Sequence, residues 1–146
     1  MGNLIENKKV NLDYEILEKF DAGIELLGFE VKSVRNHLGS ILGAHISVRG
    51  GEAYLLNSFI PGYQEKNTPK DYDPKRNRKL LLTRDEIASL SEFESKKGLT
   101  LVPISMYNSN RKVKLSIAVA RGKRKYDKRE DLKKRESDRE IQRSLK

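Results

Sequence analysis

The sequence predicts a mainly β protein: a small closed antiparallel barrel with two to three short helices, followed by a charged tail. Three observations carry this prediction. Short apolar runs alternate with polar residues over most of the chain, glycine or asparagine separates the runs, and apolar side chains become isolated in the last 26 residues. We therefore expect residues 1–120 to form a β-barrel domain and residues 121–146 to form a separate tail.

Six strand-like runs precede the tail. The first two are "LDYEI" and "GIELLGFEVKSV", where Gly28 interrupts the second run as a bend within a strand would. The run "HISVRGGEAYLLNSFI" predicts a hairpin that turns at Gly50 and Gly51, because glycine adopts positive φ without steric penalty. The runs "LTLVPISMY" and "KVKLSIAVA" flank the turn "NSNR". This pattern favours a closed barrel nearest in class to the oligonucleotide-binding fold, with an open two-layer α+β sandwich as the alternative.

One helix is strongly indicated within "RKLLLTRDEIASLSEFESKKG". Thr83 and Glu86 have the spacing of a capping box, and Gly98 follows two lysines as a stop signal. Between them, apolar side chains recur at helical spacing: Ile87, Leu90 and Phe93. A second short helix is predicted around residues 31–36.

Positive charge is concentrated at the C-terminus. The formal net charge is +9, and 12 basic against 6 acidic residues place +6 of it between Arg121 and Lys146. A basic tail on a mildly basic body indicates a polyanionic partner, because lysine and arginine bound to phosphates release condensed counterions.

The tail is helix-competent but lacks an apolar stripe. Leu132, Ile141 and Leu145 are too scattered to hold a packed helix, although the i,i+4 pairs Glu130–Lys134 and Asp131–Arg135 support one. We expect the tail to be disordered when free and helical when a polyanionic groove neutralises it. A solvated, solubilising tail is the alternative.

Several function classes find no support in the residues. The chain has no cysteine, and its two histidines, His37 and His45, lack metal-ligand spacing. Neither a phosphate-binding glycine loop nor an apolar membrane or signal segment is present. We therefore expect a cytoplasmic protein that is not an enzyme and needs no metal or cofactor. A metal-dependent nuclease built from surface carboxylates is the enzyme alternative.

Four motifs, in order, resemble the bacterial SmpB family, small protein B, the partner of transfer-messenger RNA. They are "FDAGIELLGFEVKSVR", "DPKRNRKLLLTRDEI", "KGLTLVPISMY" and "VKLSIAVARGKRKYDKRE". The resemblance implies an oligonucleotide-binding-like barrel with short helices and a C-terminal tail that is disordered when free. It also names the RNA, which patterning alone does not.

The resemblance further implies a role in trans-translation, the rescue of ribosomes stalled on messages without a stop codon. The barrel would bind the tRNA-like domain of transfer-messenger RNA and enter the ribosome with elongation factor Tu as a monomer. The tail would lie in the decoding centre and the empty message channel. A general RNA-binding or ribosomal protein of similar fold is the alternative.

The resemblance also assigns residues. Asp21 stands where the family has the glutamate of an "EAG" motif, and Thr83 where it often has asparagine or histidine. The full set of RNA-binding positions is Asp21, Lys32, Ser33, Arg35, Arg78, Lys79, Leu81, Thr83, Lys112 and Lys114. The ribosome-binding positions of the tail are Lys123, Arg124, Lys125, Tyr126, Asp127, Lys128, Arg129 and Leu145.

Overall fold

The structure, a computed structural model, describes residues 3–123. Within this range the chain forms seven strands, three α-helices and one short 3-10 helix. In chain order these are β1 (Asn3–Glu6), α1 (Val10–Asp13), β2 (Tyr14–Ile24), α2 (Gly28–Arg35), β3 (His45–Arg49), β4 (Glu52–Leu56), the 3-10 helix (Glu65–Asn67), β5 (Arg78–Leu81), α3 (Arg84–Ser95), β6 (Leu99–Ser109) and β7 (Lys112–Gly122). The prediction of a mainly β protein with short helices is confirmed.

The strands form one antiparallel sheet in the order β1-β6-β7-β2-β5-β4-β3. The sheet does not close, so the prediction of a closed barrel is wrong. In residues 3–123, β1 pairs with β6 and β3 pairs with β4, and no ladder joins these two edge strands. The open alternative is therefore the better description.

Helix α3 explains why closure is not needed. It packs against both β3 and β6, and its Leu90 is fully buried in the main core. Phe93 of the same helix meets Phe20 of β2 edge to face, with ring centroids 6.4 Å apart. The helix thus covers apolar interior that a closing strand pair would otherwise shield from water.

Both predicted hairpins are present. Gly50 and Gly51 join β3 to β4 with φ of 59° and 77°, as the double glycine predicts. Asn110 and Arg111 join β6 to β7, also with positive φ at both residues. The second hairpin places Arg111 and Lys112 at one end of the sheet.

Other local predictions were wrong. The first two of the five residues of "LDYEI" are the end of α1, and Gly28 begins α2 instead of bending a strand. The reason is a helix cap that the alternation of apolar and polar residues does not reveal. Glu30 accepts a hydrogen bond from the Leu27 N–H at 2.7 Å and stabilises the first turn of α2. Strands β1 and β5 were not predicted, because each is only four residues long.

The main core lies between the sheet and helices α2 and α3, which contribute Val34 and Leu90 to it. Strands β6 and β7 are buried on both faces, since a smaller apolar cluster around Val10, Val102, Ala118 and Ala120 covers part of their other side. In the part of the chain described, no helix is long and apolar enough to cross a membrane.

Candidate nucleic-acid interface

Two depressions in the surface meet at Leu81, the last residue of β5. The larger, about 640 Å³, is called the mixed-charge groove. Its polar lining is Asp21, Glu52, Lys79, Thr83, Arg84, Glu86 and Lys114. The smaller, about 250 Å³, is called the basic pocket. Its charged lining is Arg35, Arg111, Lys112 and Lys114. Leu81 and Lys114 belong to both, so the two depressions form one continuous surface.

The position of Leu81 depends on the close pairing of β2 with β5. Leu81 lies opposite Gly23 in the β2–β5 pairing, and the residue is 53% exposed. A Cβ atom added to Gly23 would stand 3.1 Å from the Leu81 Cβ, closer than side chains normally approach. The glycine therefore lets Leu81 rest on β2 while the rest of its side chain faces solvent.

Asp21 lies on the same face of β2 as Gly23, at the edge of the mixed-charge groove. Tyr107 of β6 reaches across β7 and donates its hydroxyl to Asp21 Oδ1 at 2.9 Å. Burial, this hydrogen bond and the charge of the carboxylate raise the pKa of Tyr107 to about 12. The phenol thus keeps its proton at neutral pH and orients the carboxylate. Within residues 3–123 the other carboxylate oxygen, Asp21 Oδ2, accepts no hydrogen bond, so it can accept one from a ligand.

Lys79 is not a free cation. Its Nζ lies 2.9 Å from Glu52 Oε1, and the Tyr54 hydroxyl donates to Glu52 Oε2 at 2.8 Å. The register explains the cluster: Tyr54 of β4 pairs with Lys79 of β5, and Glu52 lies two residues away on the same face. Hydrogen bonds from Lys79 and Tyr54 lower the pKa of Glu52, so the carboxylate is ionised at neutral pH.

Thr83 caps α3, as its spacing to Glu86 predicts. Its Oγ1 accepts from the Glu86 N–H at 3.2 Å and donates to Glu86 Oε1 at 3.0 Å, and the Thr83 N–H donates to that same oxygen. The hydroxyl that could contact RNA is thus already engaged in the cap, although it lines the groove.

The basic pocket is built from α2 and the β6–β7 turn. Arg35 Nη2 donates to the Arg111 carbonyl at 2.6 Å, which fixes the end of the helix against the turn. Among the described residues that line this pocket there is no carboxylate. Its cations therefore suit a phosphate group, whereas the mixed-charge groove does not have that bias.

Seven of the ten predicted RNA-binding residues line this surface. They are Asp21, Arg35, Lys79, Leu81, Thr83, Lys112 and Lys114. Lys32 is exposed on α2 but lines neither depression.

Two of the ten are corrected by the structure. Arg78 is fully buried, with its guanidinium bonded to Glu30, and Ser33 is fully buried, donating to the Pro61 carbonyl at 2.7 Å. Neither side chain reaches the surface, so both support the fold instead of contacting RNA. The burial of Arg78 could not be predicted from its basic motif, because sequence spacing does not distinguish an inward-facing arginine from an outward-facing one.

Sequence reasoning missed Glu52, Tyr107, Arg84 and Arg111. Glu52 and Tyr54 follow the double-glycine turn at i,i+2, so their shared face could have been inferred. Their partner Lys79 could not, because β5 was not predicted. Tyr107 reaches Asp21 across an intervening strand, a contact that only the sheet order reveals.

Of the predicted tail residues, the structure describes Lys123. Its N–H donates to the Asp13 carbonyl at 2.9 Å and its Nζ to the Asn11 carbonyl at 2.7 Å. The chain therefore leaves the sheet beside α1. Arg124, Lys125, Tyr126, Asp127, Lys128, Arg129 and Leu145 lie outside the described residues.

The comparison that decides the family covers nearly the whole chain: residues 4–146 match the family described as SmpB protein. The chain belongs to the SmpB family. Curated SmpB relatives carry the name SsrA-binding protein. The chain is 48% identical to that of Latilactobacillus sakei subsp. sakei over 145 residues, covering 99% of this chain and 92% of the relative. It is 44% identical to that of Thermosynechococcus vestitus over 143 residues, covering 98% of this chain and 94% of the relative.

A solved structure supports the SmpB fold. It is described as "tmRNA-SmpB: a journey to the center of the bacterial ribosome" and has a TM-score of 0.69 and 41% identity to this chain. The match covers 87% of this chain and 92% of the solved one. The family resemblance inferred from the four motifs is confirmed.

Proposed function

We propose that this chain binds the tRNA-like domain of transfer-messenger RNA and takes part in the rescue of stalled ribosomes by trans-translation. The surface around Leu81 is the RNA-binding site in this proposal. The observation that carries it is the gathering of seven predicted positions, from three strands, helix α2 and the N-cap of α3, onto one continuous surface in a member of the SmpB family.

The chemistry of the surface suits structured RNA. The basic pocket offers cations to a phosphate, Leu81 offers an apolar contact to a base or ribose, and Asp21 offers an acceptor to N–H or hydroxyl donors. A surface that served only to hold a polyanion would need cations alone. The mixture supports a partner recognised by shape and by hydrogen bonds as well as by charge.

We propose further that residues 121–146 act separately from the RNA-binding domain of residues 1–120. The tail would enter the decoding centre and the empty message channel and fold there as the ribosomal RNA neutralises it. In this proposal the protein works in the cytoplasm as a monomer, is delivered with elongation factor Tu and transfer-messenger RNA, and catalyses no reaction.

The test compares two RNAs by direct binding measurement: the isolated tRNA-like domain of transfer-messenger RNA and an ordinary transfer RNA with an intact anticodon arm. We expect clear preference for the former. Leu81→Ala should weaken that binding by about 1 to 2 kcal/mol, because the apolar contact of the leucine side chain with a base or ribose is lost. Leu17, near the start of β2, is also exposed and lines neither depression. Leu17→Ala is therefore the matched control and should bind normally. Equal affinity of the wild type for both RNAs would contradict the proposal.

A further inference from the structure

The two halves of the interface differ in charge. Among residues 3–123, the charged lining of the mixed-charge groove comprises three carboxylates and three cations, in a chain whose formal net charge is +9. These groups are Asp21, Glu52 and Glu86 against Lys79, Arg84 and Lys114. The basic pocket has cations without carboxylates over the same part of the chain. A site that evolved only for phosphate would not place a carboxylate on one of its own lysines.

Glu52 is the carboxylate that acts on such a lysine. Both of its oxygens are engaged, Oε1 by Lys79 and Oε2 by Tyr54, so its position is set by two independent contacts. The Glu52 and Lys79 side chains are 42% and 40% exposed, so a ligand can reach the pair and compete for either member. A phosphate that binds Lys79 must therefore displace Glu52 or accept its repulsion.

We propose that Glu52 is a specificity-determining residue, which occupies Lys79 so that a phosphate backbone alone binds the groove weakly. The inference rests on the proposed function and deepens it. The ligand that binds well is an RNA that brings base N–H donors for the carboxylates together with a phosphate for the basic pocket. An unpaired nucleotide in a folded loop has both, whereas a regular duplex uses the N–H groups of its bases in pairing and presents mainly its phosphates and riboses to this surface.

In this proposal the groove lowers the affinity for RNAs that offer only a phosphate backbone. Specificity is a difference between two affinities, and a charge that repels a competitor increases that difference without adding a contact to the correct ligand. For a protein in a cell crowded with ribosomal and transfer RNA, weak binding of ordinary backbone is as useful as strong binding of the target.

The experiment measures the affinity of Glu52→Gln for two probes, over a range of salt concentrations. One probe is a short RNA duplex of unrelated sequence, and the other is the tRNA-like domain of transfer-messenger RNA. The freed Lys79 should tighten duplex binding about two- to fivefold and steepen its salt dependence by about one unit of slope. Binding of the tRNA-like domain should not tighten as much, so the ratio of the two affinities should fall.

Two further variants make the result specific. Glu92→Gln makes the same change in net charge at an exposed position of α3 that is not among the described residues lining the groove. It should leave the affinity ratio unchanged. In a Lys79→Met background, Glu52→Gln should lose its effect on the duplex, because the lysine that it frees is gone.

Equal shifts in Glu52→Gln and Glu92→Gln would overturn the inference, as would a full effect of Glu52→Gln without Lys79. These results are independent of the proposed function, which fails instead if the wild type does not prefer the tRNA-like domain over ordinary transfer RNA.

Discussion

At the scale of single residues, the fold depends on a buried ionic cluster around Glu30. Its carboxylate accepts hydrogen bonds from Arg78 Nη2 and from the Tyr72 hydroxyl, each at 2.7 Å, and is also ion-paired with Arg76. Arg78 has further acceptors in Ser58 Oγ at 2.9 Å and in nearby carbonyls. Phe29 packs edge to face on Tyr72, with centroids 4.7 Å apart. Such satisfaction of every charged atom is what makes burial of the pair tolerable.

The cluster also positions the interface. Glu30 belongs to α2, which carries Arg35 of the basic pocket, and Arg78 begins β5, which carries Lys79 and Leu81. The buried pair therefore ties the two elements that hold the two halves of the binding surface. In the proposed function Arg78 would therefore affect RNA binding through these neighbours, without touching the RNA.

Glu30→Gln should lower the free energy of unfolding by about 3 to 5 kcal/mol, because two arginines lose their counter-charge and one of them is fully buried. Urea unfolding measures this loss. Glu92→Gln, on the exposed side of α3, is the matched control and should change stability by at most about 0.5 kcal/mol. A loss as small as that of the control would show that the cluster does not stabilise the fold.

The stability of the fold at acidic pH should also depend on Glu30. Burial alone would raise the pKa of Glu30, but hydrogen bonds from Arg76, the Leu27 N–H and Tyr72, with the charge of Arg78, bring it below its ordinary value of 4.5. The folded state therefore binds fewer protons than the unfolded state, and the stabilisation is complete above pH 4.5 and lost as the pH falls through the lower folded-state pKa. Unfolding followed from pH 7 downward should show this loss in the wild type, and a shallower dependence in Glu30→Gln.

At the scale of secondary-structure elements, the antiparallel pairing of β2 with β5 determines where Leu81 lies. Gly23 pairs with Leu81 on one side and with Lys114 of β7 on the other, and it lines both the mixed-charge groove and the basic pocket. Its missing side chain is what allows Leu81 to lie between the mixed-charge groove and the basic pocket.

Gly23→Val should displace Leu81 and weaken binding of the tRNA-like domain by an amount close to that of Leu81→Ala. Its effect on the fold should be smaller, because valine is favourable in strands and φ at this position is not positive. Binding and thermal unfolding, measured on the same samples, separate the two effects. Gly28→Ala provides the control, since no atom lies within 4 Å of a Cβ added there. Normal binding by Gly23→Val would show that the placement of Leu81 is not important.

At the scale of the whole molecule, charge and apolar surface are separated along the chain. Residues 1–120 have a formal charge of only +3 and contain every buried apolar residue described, while residues 121–146 carry +6. All seven predicted residues at the interface precede Leu115. The proposed RNA recognition and the proposed role of the tail are therefore assigned to different parts of the chain.

Removal of the chain from Tyr126 onward should leave binding of the tRNA-like domain nearly unchanged, because the whole interface lies in the remaining domain. It should abolish tagging of peptides on stalled ribosomes in a reconstituted translation system. A variant with residues 126–146 in shuffled order keeps the charge and composition and is the matched control for specific tail contacts. Loss of RNA binding on truncation would contradict the separation of roles.

The sequence by itself determined the features that depend on neighbouring residues. Turn chemistry at Gly50-Gly51, the capping box at Thr83 and Glu86, the apolar runs of β6 and β7, and the concentration of charge from Arg121 onward are all local. The four motifs also determined the family. Each of these signals acts over a few residues, so it can be recognised before any packing is known.

The tertiary structure alone decided which charged residues face inward and which carboxylates meet which cations. Arg78 and Lys79 are adjacent in sequence, yet one is buried against Glu30 and the other lies in the groove beside Glu52. The open sheet, completed by α3, was likewise beyond the sequence pattern. These outcomes depend on strand register and on contacts between residues tens of positions apart, where the gain from burial and pairing outweighs local preference.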